Sequence, residues 1–152
     1  MPPQPDCIFC QIAMGRATAQ VVADVGDALA FTVLESAALA PGHVVVIPRR
    51  HCLGVQDADP TSRDAVGALC QRVTQGILRA LPATGVNLLS ACGPGSDQSV
   101  DHWHMHVVPR RAGDGIETWP ESGSTAVGHR AAGELLEAEL NNSTANGGGF
   151  TS

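Results

Sequence analysis

The segment His102-Trp103-His104-Met105-His106-Val107-Val108-Pro109 alternates histidine with apolar residues and ends in two valines and a proline. Alternate side chains of a β-strand lie on the same face, so this pattern predicts a strand with three imidazoles in a row. The tryptophan, the methionine and the first valine would pack into the core from the other face. Pro109 cannot donate a backbone hydrogen bond, so we expect the strand to end there.

Turn residues and hydrophobic spacing predict further strands and helices around this segment. We expect a short helix over residues 7–14, capped by Asp6 and ending at Gly15. A long helix, capped by Asp59, should begin at Pro60 and end before Pro82. The remaining predictions are strands at residues 20–23, 28–32, 43–48 and 86–92, and a weak helix at residues 131–140. Tight turns favour antiparallel pairing, so the predicted fold class is α+β with an antiparallel five-stranded sheet.

Composition indicates one soluble domain. The chain has 152 residues, of which 43% are hydrophobic, and we expect the domain to span residues 7–140 with a C-terminal extension. Residues 1–6 and the polar tail 141–152 are predicted to be disordered. The net charge of -6 argues against a general nucleic acid partner, and no apolar run is long enough to span a membrane. Five cysteines without a signal peptide predict a cytoplasmic protein with reduced thiols.

The histidine row supports several kinds of chemistry. Imidazole titrates near pH ~6.5, so near neutrality it can act as nucleophile, acid, base or metal ligand, and spacing alone does not choose among these. The preceding loop favours an anion pocket, because Gly93, Gly95 and Ser96 can present backbone N–H groups to a ligand. A module that binds metal through the whole row remains an alternative.

Residues 98–110, which contain Gln98-Ser99-Val100 followed by His-x-His-x-His, closely resemble the signature of the histidine triad (HIT) family. The resemblance extends to residues 7–12, 29–31 and 41–51, and so covers roughly residues 7 to 115. It implies the HIT fold and a cytoplasmic nucleotide hydrolase or transferase that forms a homodimer. The expected substrates are adenosine phosphoramidates or related purine nucleotides, which are cleaved at the α-phosphate.

The resemblance assigns catalytic roles to three residues. His104 matches the middle histidine, which attacks the α-phosphorus and forms a nucleotidyl-histidine that water then cleaves. His106 and Ser99 would hold the phosphoryl oxygens, and Ser99 would also relay a proton to the leaving group. Gln98 matches a glutamine beside the phosphate or the leaving group.

Metal binding is a second implication of the resemblance. Cys7 and Cys10 have the C-x-x-C spacing of metal ligands, and similar bacterial family members hold zinc with both cysteines and two histidines. The matching histidines here are His51 and His102, so the resemblance gives His102 a structural role. Two ordinary reduced cysteines are the alternative interpretation.

The nucleoside contacts depart from the family pattern. One branch binds ribose through the aspartate of Phe-x-Asp, whereas here Phe31 is followed two residues later by Val33. Glu35 occupies the position of a polar residue in another branch, and a carboxylate can accept both ribose hydroxyls. Ile8, Phe31 and Val46 are candidates for the base pocket by analogy with the family.

Two alternatives to the leading function stay open. Val33, Ala91 and Asp97 stand where relatives commonly have aspartate, asparagine and glycine, which favours a zinc-stabilised nucleotide-binding or interaction protein with little turnover. A dinucleoside polyphosphate hydrolase is the other alternative. Asp97 adds a negative charge near the expected phosphate pocket, and we expect its side chain to point to solvent.

Overall fold

The computed structural model describes residues 1–119, 123 and 128–146, and the side chains of residues 143–146 are not described. The chain forms two compact units, Met1–Thr118 and Trp119–Ser152. The first unit contains the whole sheet and every residue of the candidate site. None of the described helices is both long enough and apolar enough to cross a membrane.

The first unit is built on an antiparallel five-stranded sheet, which confirms the predicted α+β fold class. The strand order is β1-β2-β3-β5-β4, and the bounds are β1 Val21–Val25, β2 Ala28–Thr32, β3 Val44–Pro48, β4 Gly85–Leu89 and β5 Met105–Arg110. Strand β4 ends three residues earlier than predicted, because its pairing with β5 stops at Leu89 and His106. The central strand β3 is buried along its whole length.

Helix α2, Pro60–Ala80, covers one face of the sheet. Asp59 caps it as predicted, accepting a hydrogen bond from the backbone N–H of Ser62 at 2.9 Å. Apolar residues that recur at helical spacing face the sheet; those buried are Val66, Leu69, Cys70 and Ile77. They pack with Ala30, Val46 and Trp103 in the larger core cluster.

Helix α1, Ile8–Ala13, packs on the opposite face of the sheet. Phe9, Ile12 and Ala13 lie against a second cluster formed by Leu29, Phe31, Val45 and Ile47. The predicted cap is wrong, since Cys7 precedes the helix at the N-cap position and no side chain caps it. Residues 1–6 have defined contacts, among them a hydrogen bond from the Met1 ammonium to the carbonyl oxygen of His51 at 2.9 Å.

The histidine segment keeps its predicted alternation although its strand is displaced. Strand β5 begins at Met105, so His102 and His104 precede it. Trp103 and Val107 pack in the cluster under α2, whereas Phe9 on α1 contacts the rings of His102 and His104. Pro109 lies inside β5 rather than ending it. Pairing of β5 with β3 stops at Val107, so the missing N–H of the proline costs no ladder hydrogen bond on that side.

The second unit contains helix α3, His129–Asn146. It begins two residues earlier and ends six residues later than predicted, so residues 141–146 of the predicted disordered tail are helical. Residues 147–152 lie outside the described residues, as do residues 120–122 and 124–127 of the predicted loop at 112–128. Within that loop, residues 112–119 contain no helix or strand. The boundaries of the HIT domain at residues 7 and 140 stay predictions.

Candidate functional site

Four potential metal ligands meet where α1 approaches the segment before β5. The ligand atoms of Cys7, Cys10, His51 and His102 all lie within 4.8 Å of one another. Cys10 Sγ is 3.4 Å from Nδ1 of His51 and 3.5 Å from Nδ1 of His102, and Cys7 Sγ is 3.5 Å from Nδ1 of His102. These are the four residues proposed as ligands from the sequence, and their arrangement could hold a metal ion.

His102 has a fixed ring orientation within this cluster. It is completely buried, and its Nε2 lies 2.9 Å from the carbonyl oxygen of Pro48. Because a carbonyl oxygen only accepts, Nε2 carries the proton and Nδ1 presents its lone pair to the cysteines. Burial lowers the pKa of His102 to about 4, which favours this neutral form.

The other three cysteines lie outside the cluster. Cys52 and Cys70, the latter on α2, are buried in the core between α2 and the sheet, where burial raises the pKa of each thiol to about 11. Cys92 is half-buried and packs against the same core.

His104 lies directly beside the metal-ligand cluster. Its Nδ1 is 2.7 Å from the carbonyl oxygen of His102, so Nδ1 donates a hydrogen bond, and in the neutral tautomer of the ring Nε2 carries the lone pair. The ring of His106 is 4.9 Å away, centroid to centroid. His104 is only 1% exposed, and Ser90 Oγ donates to its carbonyl oxygen at 2.8 Å. The arrangement therefore provides a buried imidazole of fixed orientation.

His43 contacts the last histidine of the triad, His106, and the sequence did not predict this contact. Its Nε2 lies 3.0 Å from Nδ1 of His106, and the two ring centroids are 5.1 Å apart. The backbone N–H of Leu39 donates to Nδ1 of His43 at 3.1 Å. Burial lowers the pKa of His43, and burial lowers the pKa of His106 to about 4. The signal in the sequence was a histidine immediately before the buried strand β3.

Phe9 is the second residue that the sequence analysis missed. It stands between the two cysteines of the C-x-x-C motif. Its ring meets the rings of His102 and His104 edge-on, at centroid distances of 5.9 Å and 5.2 Å, and meets Phe31 at 5.5 Å. Phe9 therefore connects the metal-ligand cluster to the middle histidine.

The loop before the histidines differs from the predicted anion pocket. Two backbone N–H groups donate hydrogen bonds within the loop. That of Gly93 donates to Oε1 of Gln98 at 2.8 Å, and that of Ser96 donates to the carbonyl oxygen of Gly93 at 3.2 Å. The Gln98 amide also donates to the carbonyl oxygens of Leu53 at 2.7 Å and Val100 at 2.9 Å. Gln98 thus fastens this loop to residue 53, and Ser99 beside it is exposed.

The nucleoside candidates lie in different environments. Glu35 is exposed in a 3-10 turn, and Ile8 is half exposed on α1; within the described chain no hydrogen bond joins Glu35 to the histidines. Phe31 is buried beneath Phe9, on the sheet face that carries His106. Val46 is completely buried on the opposite face, against α2, so we exclude it from the base pocket.

Two surface clefts lie away from the histidines. One is lined by Leu39, Pro41, Leu81, Pro109 and Ile116, and the other lies between α2 and strands β1 to β3. Neither contains a residue of the triad. The candidate site is the group of histidines and cysteines, whose side-chain atoms converge at hydrogen-bonding and metal-ligand distances.

Comparison with known proteins agrees with this geometry. A model of the HIT domain matches residues 15–113. An uncharacterized HIT-like protein of Mycoplasma genitalium is 33% identical over 104 residues, which are 68% of this chain and 72% of that protein. An adenosine 5'-monophosphoramidase of Schizosaccharomyces pombe is 29% identical over 137 residues, covering 88% of this chain and 98% of its own.

A solved structure provides a further comparison. The crystal structure of a Zn-bound histidine triad family protein from Mycobacterium smegmatis superposes with a TM-score of 0.68 at 30% identity, covering 93% of this chain and 97% of its own. The strand order, the convergent histidines and the domain match agree with one another. This chain belongs to the HIT family.

Proposed function

We propose that this protein is a nucleotide hydrolase or transferase that cleaves adenosine phosphoramidates or related purine nucleotides at the α-phosphate. The observation that carries the proposal is the hydrogen bond from Nδ1 of His104 to the carbonyl oxygen of His102. It selects the neutral tautomer in which Nε2 carries the lone pair, and this tautomer is the one that can attack phosphorus through Nε2. Similarity to the monophosphoramidase of Schizosaccharomyces pombe supports this substrate class.

The reaction divides into two displacements. Nε2 of His104 attacks the α-phosphorus, the bond from phosphorus to the leaving nitrogen breaks, and that nitrogen takes a proton through Ser99 from solvent. The imidazole carries a positive charge in this intermediate, which the His102 carbonyl oxygen stabilises through Nδ1–H. Water then attacks phosphorus and loses a proton to solvent, and the products are AMP and neutral His104. Substrate binding must uncover Nε2, because the side chain is 1% exposed.

The remaining site residues bind the nucleotide in this proposal. His106 contacts a phosphoryl oxygen, while Glu35 binds the ribose hydroxyls and Ile8 and Phe31 line the base pocket. Gln98 acts on the phosphate or leaving group indirectly, because its amide is hydrogen-bonded to the loop backbone.

We further propose that the protein forms a homodimer and is located in the cytoplasm. Sedimentation equilibrium tests the assembly, and a monomeric mass at micromolar concentration would contradict it.

The metal in this proposal is zinc. In a tetrahedral zinc site, bond lengths of ~2.3 Å to sulfur and ~2.05 Å to nitrogen place a sulfur about 3.6 Å from a nitrogen. The three sulfur-to-nitrogen distances of 3.4, 3.5 and 3.5 Å agree with this value. Bound zinc would cross-link α1 to the segment before β5. The hydrogen bond of His102 to Pro48 supports the fit, since such bonds orient metal-binding histidines.

Zinc content can be measured by elemental analysis of protein purified without chelator. We expect one zinc per chain, and near-complete loss in Cys10→Ser because one of four ligands is removed. Cys92→Ser is the matched control and should keep its zinc, since Cys92 is not in the cluster. A wild-type protein without zinc, or equal zinc in both variants, would contradict the metal assignment.

Turnover of an adenosine phosphoramidate tests the catalytic proposal. We expect His104→Asn to lower kcat by at least ~10³-fold, because the nucleophile is lost. The matched control is His129→Asn, on α3 and outside the triad, which should keep the wild-type rate. An unchanged rate in His104→Asn would exclude His104 as nucleophile.

A zinc-stabilised nucleotide-binding protein with little turnover is the second candidate. The burial of His104 and the engagement of the Gln98 amide in backbone hydrogen bonds both favour it. AMP binding without turnover of phosphoramidates or dinucleoside polyphosphates would support this candidate over the first.

A further inference from the structure

The two cysteines of the metal-ligand cluster are arranged so that they can react with each other as well as bind a metal. Cys7 stands at the N-cap position of α1 and Cys10 in its first turn, and their sulfur atoms lie within 4.8 Å of each other. Two thiols in a C-x-x-C motif at the start of a helix can form a reversible disulfide. The same pair of side chains therefore has two alternative states, one that binds metal and one that is oxidised.

The cysteines differ in their exposure to solvent. Cys10 is completely buried, and its Sγ accepts a hydrogen bond from the backbone N–H of Gln4 at 3.3 Å. Cys7 is only half-buried, so a small oxidant reaches it first. Cys52 and Cys70 lie in the core, where burial raises the pKa of each thiol and keeps it protonated and unreactive. Oxidation of the cluster should therefore begin at Cys7.

The position of α1 depends on the state of these two cysteines. The helix is six residues long and no side chain caps it, so its attachments are the apolar face on the sheet and the cluster with His51 and His102. Phe9 lies between the cysteines and meets the ring of His104 edge-on, at a centroid distance of 5.2 Å. Loss of both sulfur ligands would leave α1 without its link to the two histidines, and Phe9 moves with the helix.

We propose that Cys7 and Cys10 form a peroxide-sensitive switch, in which oxidation joins them in a disulfide, releases the metal ion and displaces Phe9 from His104. The release of metal rests on the zinc assignment made above, and the effect on turnover rests on the proposed function. Formation of the disulfide depends on neither.

The oxidation takes two steps and consumes one hydrogen peroxide per chain. The thiolate of Cys7 attacks a peroxide oxygen, the O–O bond breaks, and Cys7 becomes a sulfenic acid while hydroxide leaves. The thiolate of Cys10 then attacks the sulfur of Cys7, and the sulfenic oxygen leaves as a second hydroxide. Two protons from solvent convert both hydroxides to water. The two electrons that reduce the peroxide come from the two sulfur atoms, and the metal ion keeps its charge.

Zinc release and disulfide mapping test the switch in the purified, reduced protein after treatment with hydrogen peroxide. We expect one zinc to be released per chain, detected with a chromogenic chelator. The tryptic peptide of residues 1–16, which contains Cys7 and Cys10 and no other cysteine, should lose two hydrogen atoms in step with this release. Dithiothreitol followed by zinc should reverse both changes. Wild-type protein that forms no disulfide in this peptide, or that forms it and keeps its zinc, would overturn the proposal.

Two variants separate the disulfide from general oxidation of the protein. Cys7→Asp keeps a zinc ligand and places a favoured residue at the N-cap of α1, but it cannot form the disulfide. We expect this variant to retain its zinc in peroxide, after elemental analysis and thermal unfolding have established that it is loaded and folded. Cys92→Ser removes the other half-buried thiol and should release zinc as the wild type does. Equal release from Cys7→Asp and wild type, or none from Cys92→Ser, would overturn the assignment.

Turnover of an adenosine phosphoramidate shows whether the switch reaches His104. We expect peroxide to lower kcat of the wild type by at least ~10-fold in step with zinc release, because the surroundings of the nucleophile are displaced. Dithiothreitol with zinc should restore the rate, and peroxide should leave the rate of Cys7→Asp unchanged. Full turnover by oxidised, zinc-free protein would overturn the link to His104. A reduced wild-type protein without activity would instead contradict the proposed function, while disulfide mapping and zinc release would still decide the switch.

Discussion

His102 is the residue at which the two parts of the candidate site meet. Its Nδ1 points to the cysteines, its Nε2 bonds to Pro48, and its carbonyl oxygen receives the Nδ1 proton of His104. The proposed metal ligand His102 and the proposed nucleophile His104 are therefore separated by one short stretch of backbone. The three histidines of the motif consequently have different environments, although their spacing in the sequence is uniform.

Asp97 is the residue at which the loop before the histidines carries backbone strain. Its φ of 57° lies in the left-handed region, and it is exposed, which agrees with the expectation that it points to solvent. Aspartate tolerates this conformation better than alanine, and glycine tolerates it best.

Substitution at position 97 should change stability in a fixed order. We expect Asp97→Ala to lower the free energy of unfolding by about 1 kcal/mol, because an ordinary side chain is disfavoured at positive φ. Asp97→Gly should raise the free energy of unfolding by about 0.5 kcal/mol. This is the gain from relieving the positive φ less the entropy that glycine adds to the unfolded chain. Urea denaturation measures both. An alanine variant as stable as the glycine variant would show that the loop is unstrained at this position.

The local sequence pattern predicted those features correctly that depend on a single helix or strand. The α2 periodicity, its Asp59 cap and the alternation of the histidine segment were all predicted correctly, because each depends on neighbours in the chain. The contact between the rings of His43 and His106 and the contact of Phe9 with His104 were not predicted, because they join residues distant in sequence.

Val46 shows why the base pocket could not be assigned from sequence. Along β3, Val45 pairs with His106 and shares its face, whereas Val46 pairs with Met105 and faces α2. A shift of one residue in strand register exchanges these two faces. A buried run of valines contains no polar alternation that shows which residue lies on which face of the sheet. The pairing of Val46 in the structure, and not the sequence, therefore excludes it from the base pocket.

Helix α2 offers a matched pair of leucines that tests how it is held against the sheet. Leu69 is 3% exposed in the larger core cluster, whereas Leu78 is 46% exposed on the same helix. We expect Leu69→Ala to lower the free energy of unfolding by about 2–5 kcal/mol through lost burial and a cavity. Leu78→Ala should change it by less than about 0.5 kcal/mol. Similar values for the two would contradict the packing of α2 described above.

At the scale of the whole molecule, the two faces of the sheet have different roles: one carries the larger core cluster and the other carries the candidate site. Helix α2 fills one face with an apolar core, while α1 and the histidines occupy the other. The metal-ligand cluster lies beside the triad on the α1 side, so residues 7–10 are part of the site although they precede the matched HIT domain. A protein shortened to the matched residues would lack Cys7, Phe9 and Cys10.

Trapping the covalent intermediate tests the central claim most directly. Protein mixed with an adenosine phosphoramidate is quenched in alkali during the first turnover, digested and analysed by mass spectrometry. We predict one adenylyl group on the peptide that contains His104, located on that residue by fragmentation and absent from His104→Asn. AMP release without any adduct on His104, or an adduct on His106, would contradict the account.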